Sequence, residues 1–394
     1  MKICGVICEY NPLHNGHVYL IGKARELSGC DAVICMMSGN FTQRGEPAVL
    51  DKYARAGHAI LAGADAVIEL PTVFALSPAE LFAHGAVRLL NAIPGFDTLA
   101  FGCEEPDRER FLAAAKTTSE ESRGFRRALR LRLKAGISLT RARTEALVET
   151  GAGDTAALLQ SPNNILGVEY QKALFSCGSL AQILPVKRTG ANYSDEELYK
   201  NFSSATAIRA AVAEGKERAV RKNVPDFVAD DLFSSATDGA VFKKLTVYAA
   251  LTQSAEQLRR VLDCSEGLEN RIKALAKDNP DYDILINKAT TKRYISSRIR
   301  RILAAATLGI SAELVRKALR APLYLKVLAV KNDRADDVLG ALGRAAFPAI
   351  ARKGDLSALS GTAKEVYEND LLAADIYGLV SGKPANRTQT LFIR

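Results

Sequence analysis

Four short apolar runs separated by helical stretches decide most of what the first hundred residues can become. The runs KICGVICEY (2–10), DAVICMM (31–37), DAVIEL (65–70) and DTLAFGC (97–103) are short, rich in β-branched residues and bounded by Gly, Asp or Pro. Between them, residues 16–28, 48–62 and 78–91 repeat apolar side chains at helical spacing. A βαβαβαβ order of this kind predicts a parallel sheet wound with helices. Further helices are expected at 107–118, 121–134, 138–149 and 163–177, a strand at 181–188, and a helix at 204–215 opened by a Ser/Thr cap. Beyond about residue 220 the pattern is mostly helical, with one strand expected at LYLKVLAV (323–330) and no internal repeat or low-complexity segment. The expectation is an α/β protein: a parallel-sheet domain over residues 1–220, then a mostly helical, basic domain over 221–394.

A chain of 394 residues, 48% hydrophobic and 25% charged, can bury a substantial core and has the length of two or three domains. The apolar start at Ile3–Cys8 is interrupted by Glu9, too early for a signal peptide, and no apolar run approaches membrane-spanning length. A cytoplasmic protein without membrane association is expected. Seven cysteines, with no CxxC pair and no Cys/His ligand spacing, point to neither a disulfide framework nor a zinc site. Most read as small buried apolar residues. The net charge of +9 is uneven: residues 1–100 carry −2 and the remainder +11. Ten Lys/Arg between Ile284 and Lys326 face a single acid, Glu313. That segment fits either a polyanionic partner or solvated helix faces.

The first strand-to-helix turn carries the chemistry. It reads EYNPLHNGHVYL, with two of the chain's four histidines, His14 and His17, around Asn15 and Gly16. A strand ending in a Gly-containing turn that opens a helix presents backbone N–H groups and a positive dipole end, which favour phosphate. Neither GxGxxG nor GxxxxGK[ST] occurs here. Instead, a small Gly between two imidazoles lets a nucleotide approach closely, and both rings can donate to charge developing on a transferring phosphoryl group. A second element, Ser204-Ala205-Thr206-Ala207-Ile208-Arg209, matches an S-[ST]-[ST]-x-x-R box except at Ala205. Its helix start, Thr206 hydroxyl and Arg209 suit the β- and γ-phosphates and departing pyrophosphate. The loop SGNFTQRGEPA (38–48) follows the second strand at the edge where open α/β sheets bind ligands, so Asn40, Gln43 and Arg44 are candidates for a substrate pocket or for loop packing. His58 and His84 lie among apolar neighbours and read as packing or surface residues.

The chain resembles the HIGH-type nucleotidyltransferase superfamily and, more closely, the bacterial tRNA(Met) cytidine acetate ligase family. The resemblance rests on CEYNPLHNGH (8–17), MMSGNFTQRGEPAVLDKYARA (36–56), GADAVIELP (63–71), FGCE (101–104), SPNNILGVEYQKAL (161–174), VKRTGANYSD (186–195), EGLENRI (266–272) and TKRYISSRIRRIL (291–303). It implies a Rossmann-like parallel sheet of the nucleotidyltransferase type. It also implies acetylation of N4 of the wobble cytidine of elongator tRNA(Met) from acetate and ATP, through acetyl-adenylate. Acetate is ionised at neutral pH, so such a first step needs alignment and charge neutralisation rather than a general base.

By this resemblance His14, His17 and Arg209 are catalytic. ATP lies along Ile7, Cys8, Glu9, Tyr10, Asn11, Pro12, Leu13, His14, Asn15, Gly16, His17, Val18, Tyr19 and Leu20, and touches Gly102, Asn163, Arg188, Ser204 and Thr206. Asn163 can instead be an N-cap, and Asn164 can exchange roles with Asn163. Mg²⁺ is expected with ATP, although no carboxylate cluster announces its ligands. For the basic segment, Lys292, Arg293, Arg298 and Arg301 are the expected tRNA contacts, with Ile295, Ile299 and Ile302 packing inward. A small-molecule adenylyltransferase would not need the basic C-terminal half. A nucleotide-regulated RNA-binding protein would not need intact HNGH and SATAIR boxes. The oligomeric state is not legible.

Overall fold

The computed structural model describes residues 1–188, 203–385 and 389–393. Its sheet contains β1 (Ile3–Cys8), β2 (Ala32–Ser38), β3 (Ala66–Leu70), β4 (Phe96–Cys103), β5 (Gln182–Lys187), β6 (Leu325–Lys331), β7 (Ala349–Ile350) and β8 (Leu391–Ile393). The order is β5-β4-β1-β2-β3-β6-β7, with β8 also paired to β6. Strands β1 to β5 run parallel, whereas β6 runs antiparallel to β3.

Both faces of the sheet are buried, which is why its strands read as continuous apolar runs. In β2, Ala32, Ile34 and Met36 enter one core cluster while Val33, Cys35 and Met37 enter the other, the period-two alternation of a strand. Phe82, Val87 and Leu90 of helix Ala79–Asn91 cover the first face. Ile21 and Ala24 of helix Asn15–Ser28, with Tyr53, Ala56 and Ile60 of helix Lys52–Leu61, cover the second. Chain order runs outward from β1 through β2 to β3 on one side, and from β4 to β5 on the other. The strand order thus reverses between β1 and β4, and their carboxyl ends open a crevice for a ligand.

The C-terminal half is mostly helical, including Ala240–Thr252, Leu268–Asp278, Ser296–Thr307, Ala312–Arg320 and Gly361–Ser381. The sheet nonetheless crosses the expected boundary at residue 220. Strands β6 to β8 extend it past β3, and one apolar cluster runs from Ile3 to Val380. Pairing with β6 removes the open edge that β3 would otherwise present. Ile295 departs from its expected place: it is the N-cap of helix Ser296–Thr307, with extended backbone, and is 45% exposed, while Ile299 and Ile302 are buried.

Candidate active site

The turn after β1 places both histidines. Tyr10 takes a left-handed φ of 47°, and His14 becomes the N-cap of helix Asn15–Ser28. The Gly16 N–H donates to His14 Nδ1 at 3.1 Å, and the His14 N–H donates to His17 Nδ1 at 3.3 Å, a reciprocal cap built from two imidazoles. The rings stack with centroids 3.7 Å apart, and Tyr10 meets His17 edge-on at 4.9 Å. With both Nδ1 atoms accepting, each neutral ring carries its proton on Nε2. Burial pushes the His14 pKa down to about 3, helped by the Arg188 guanidinium. Burial, His14 and Arg188 likewise hold His17 well below the ordinary histidine range. Two neutral N–H donors result, suited to phosphate oxygens.

A cavity of about 180 Å³ opens at this turn. Ile7, Cys8, Glu9, Tyr10, Asn11, His14, Gly16, His17, Tyr19 and Leu20 line it from the end of β1, the turn and the first helix, joined by Gly102, Asn163, Arg188, Ser204, Thr206 and Arg209. Gln43 and Arg44 close it from the loop after β2. Pro12, Leu13, Asn15 and Val18 are not among the lining residues. Leu13 is a core residue, and Asn15 ties its backbone N–H to Asn223 O and its side-chain amide to Lys222 O, both at 3.0 Å. Asn40 also lies off the cavity: its Oδ1 accepts the Lys52 N–H at 2.8 Å, a cap for the next helix. Asn163 lines the cavity and donates to Glu104 at 2.8 Å, while Asn164 accepts from the Glu104 N–H at 3.3 Å, which separates their roles. Residues 189–195 of the VKRTGANYSD stretch lie outside the described residues.

Several positioning residues escaped sequence reading. Arg55, fully buried, donates to Leu50 O, Glu9 O and Ser38 O at 2.9, 2.6 and 3.1 Å and also to Gly39 O, gathering the ends of β1 and β2 on one guanidinium. Asn223 accepts the Ser203 N–H at 3.0 Å and so ties the second box to the first turn. Arg209 bonds Asn11 O at 2.6 Å, linking the two boxes directly. The loop over the cavity is fixed by Glu9, which accepts the Gln43 N–H at 2.7 Å, and by Arg300, which pairs with Glu46. At Gly45, φ is +77° and a Cβ would lie 2.6 Å from the Arg300 backbone, so only glycine fits this approach. Phe82, Thr42, Phe101, Leu166, Tyr170 and Lys187 also line the cavity.

Outside the cavity, His58 is buried with Nε2 2.8 Å from Asp231, and His84 is half-buried, both matching the packing or surface reading. The expected tRNA residues do not form one free stripe. Lys292 and Arg293 are exposed, with Arg293 paired to Glu266 at 2.8 Å. Arg298 donates to Asp263 O at 2.6 and 3.0 Å, and burial, against the pull of Asp263, lowers the pKa of Arg301. Among the described residues no three His, Cys, Asp or Glu side chains cluster as a metal centre, and Glu9 is the one carboxylate lining the cavity. These residues do not fit a protein-held Mg²⁺ centre. No described helix is long and apolar enough to cross a membrane.

The HIGH Nucleotidyl Transferase family profile matches residues 1–390. The tRNA(Met) cytidine acetate ligase of Caldanaerobacter subterraneus subsp. tengcongensis is 39% identical over 394 residues, covering 96% of this chain and 95% of that protein. The chain belongs to the tRNA(Met) cytidine acetate ligase family of HIGH nucleotidyltransferases. Another member, from Acetivibrio thermocellus, is 36% identical and covers 98% and 97% of the two chains. Among solved structures, apo Thermotoga maritima TmcAL superposes with a TM-score of 0.92 at 30% identity, covering 100% of both chains. The same protein bound with alpha-thio ATP gives 0.89 at 29% identity, covering 99% of this chain and 100% of that one. The family's nucleotidyltransferase fold is the sheet and crevice described here.

Proposed function

We propose that this chain activates acetate with ATP and transfers the acetyl group to N4 of the wobble cytidine of elongator tRNA(Met), in the cytoplasm. The observation that carries the reading is the stacked His14–His17 pair, two neutral Nε2–H donors at a helix start that share one cavity with Arg44, Arg188 and Arg209. The names of the relatives, and the nucleotide analogue bound by the similar Thermotoga maritima protein, support it.

In the first step an acetate oxygen attacks the α-phosphorus, and the bond to the β-phosphate oxygen breaks with its electron pair leaving on pyrophosphate. The cavity's cations offset repulsion between acetate and the triphosphate, and the imidazole N–H groups meet charge that grows on the transferring phosphoryl. Arg209, Thr206 and the helix start at Ser204 receive the departing pyrophosphate. Mg²⁺ would come with the ATP phosphates. In the second step the cytidine amine attacks the acetyl carbonyl, a C–N bond forms, AMP departs with the anhydride oxygen and the amine loses a proton. Gln43 and Arg44, which line the cavity from the loop after β2, are assigned to this step. Acetate-dependent exchange of labelled pyrophosphate into ATP tests the reading. Exchange with acetate in the absence of tRNA supports it, and exchange only with a phosphorylated cofactor precursor, or none at all, refutes it.

A further inference from the structure

The helix Arg123–Lys134, RGFRRALRLRLK, belongs to the helical insertion between β4 and helix Pro162–Ser176. Arg123, Arg127, Arg130 and Lys134 fall at i, i+4, i+7 and i+11, which confines them to about 60° of arc and a line about 16 Å long. Phe125 and Ala128 occupy the opposite face and are buried. All four cations are exposed, the helix contains no acid, and none of the four has an ion pair among the described residues. Arg132, on the buried side, is different: it pairs with Glu145 at 3.1 Å and Glu149 at 2.6 Å and so pins the helix to its neighbour. Leu131 and Leu133, 58% and 38% exposed, flank the stripe.

We infer that this stripe is a docking surface for the tRNA backbone, an inference that rests on the tRNA substrate proposed above. Regularly spaced exposed cations beside exposed apolar side chains complement a phosphodiester strand, since phosphates take the charges and sugars or bases can cover the leucines. The stripe is coupled to the active site through one element. Helix Pro162–Ser176 sends Asn163, Leu166 and Tyr170 into the ATP cavity, while its Glu169 and Lys172 share an open groove with Arg126 and Leu129 of the basic helix. Glu80, Glu120, Glu121 and Glu169 also line that groove, so the strand runs along the outer stripe and not through it. Of the C-terminal cations expected to do this work, Arg298 is held by Asp263 O and Arg293 is paired with Glu266.

The test replaces Arg123, Arg127, Arg130 and Lys134 together with Gln, a good helix former at exposed positions. Wild type and variant are compared by acetate-dependent pyrophosphate exchange, thermal unfolding and tRNA affinity against salt. Exchange and unfolding should stay unchanged, tRNA affinity should fall about tenfold or more, and the log–log salt slope should flatten by about 3 for four lost phosphate contacts. A second variant, with the three arginines changed to Lys, should retain the wild-type slope. Equal affinity and slope for wild type and the Gln variant overturn the surface while leaving the ligase reading intact. A wild type that binds no tRNA overturns both.

Discussion

His14 and His17 stack with ring centroids 3.7 Å apart, and each ring spends its Nδ1 on the backbone of the same turn. Both Nε2–H groups are thereby aimed and neutral before any nucleotide arrives. His17→Ala removes one preorganised donor and should slow acetate-dependent exchange about a hundredfold to a thousandfold, or about 3–4 kcal/mol in the barrier. Because His17 also stacks on His14 and meets Tyr10, the variant should lose about 1 kcal/mol of stability as well. Wild-type exchange in a folded His17→Ala protein would remove this residue from the mechanism.

The buried imidazoles also set a pH dependence. His14 titrates near 6.5 when unfolded and is pushed down to about 3 when folded. Between these values the unfolded chain binds the extra proton, so stability is full above about pH 6.5 and is lost progressively as pH falls toward 3. Denaturant unfolding at pH 7 and pH 5 should show wild type losing about 1–2 kcal/mol more than His14→Gln over that interval. Equal losses would mean that His14 is not held neutral by the fold.

Arg209 serves both the ligand and the protein, since its guanidinium bonds Asn11 O at 2.6 Å and lies 3.5 Å from Thr206 Oγ1. Arg209→Ala should weaken ATP binding and exchange together, and Arg209→Lys, which keeps charge but not the planar fork, should restore only part of the loss. Titration of ATP against each variant checks this. Full rescue by Lys would reduce the role of Arg209 to a point charge.

A buried charge cluster ties the last strands to the first. Glu69 of β3 accepts from Lys52 Nζ at 2.7 Å and Lys326 Nζ of β6 at 2.9 Å, and all three are about 1% exposed. Burial favours the neutral acid, yet Lys326 and Lys52 outweigh it and hold the Glu69 carboxyl at about 2. Glu69→Gln strands two ammonium groups beside Asp370 and should destabilise the protein by about 3–5 kcal/mol in denaturant unfolding. A loss below about 1 kcal/mol would show that the lysines find other partners.

Much of the N-terminal sheet was legible because its strands are buried on both faces and its helices carry a clear apolar period. Ten of the residues from Ile7 to Leu20 line the cavity, for a local reason: strand, turn and helix are contiguous in sequence. Long-range structure was less legible. The run at 323–330 reads as a strand, but nothing within it reveals an antiparallel partner more than two hundred residues earlier. Arg55 reads as an ordinary helix residue, since carbonyls that converge on a guanidinium leave no pattern of their own. In the C-terminal charge run a count of cations does not show which ones are already bonded, as Arg298 and Arg300 are. The spacing of Arg123, Arg127, Arg130 and Lys134 stands in the sequence, but only their exposure, and the absence of an ion pair to them among the described residues, gives that spacing weight.

On this mechanism the acetyl group delivered to tRNA comes from free acetate activated by ATP at the HNGH turn. Incubating the protein with elongator tRNA(Met), ATP and isotope-labelled acetate, followed by nucleoside mass spectrometry, tests it most directly. Labelled N4-acetylcytidine is expected, and it should require ATP, not require acetyl-CoA and be lost in His17→Ala. Unlabelled cytidine throughout, or acetylation that appears only when acetyl-CoA replaces acetate and ATP, would contradict it.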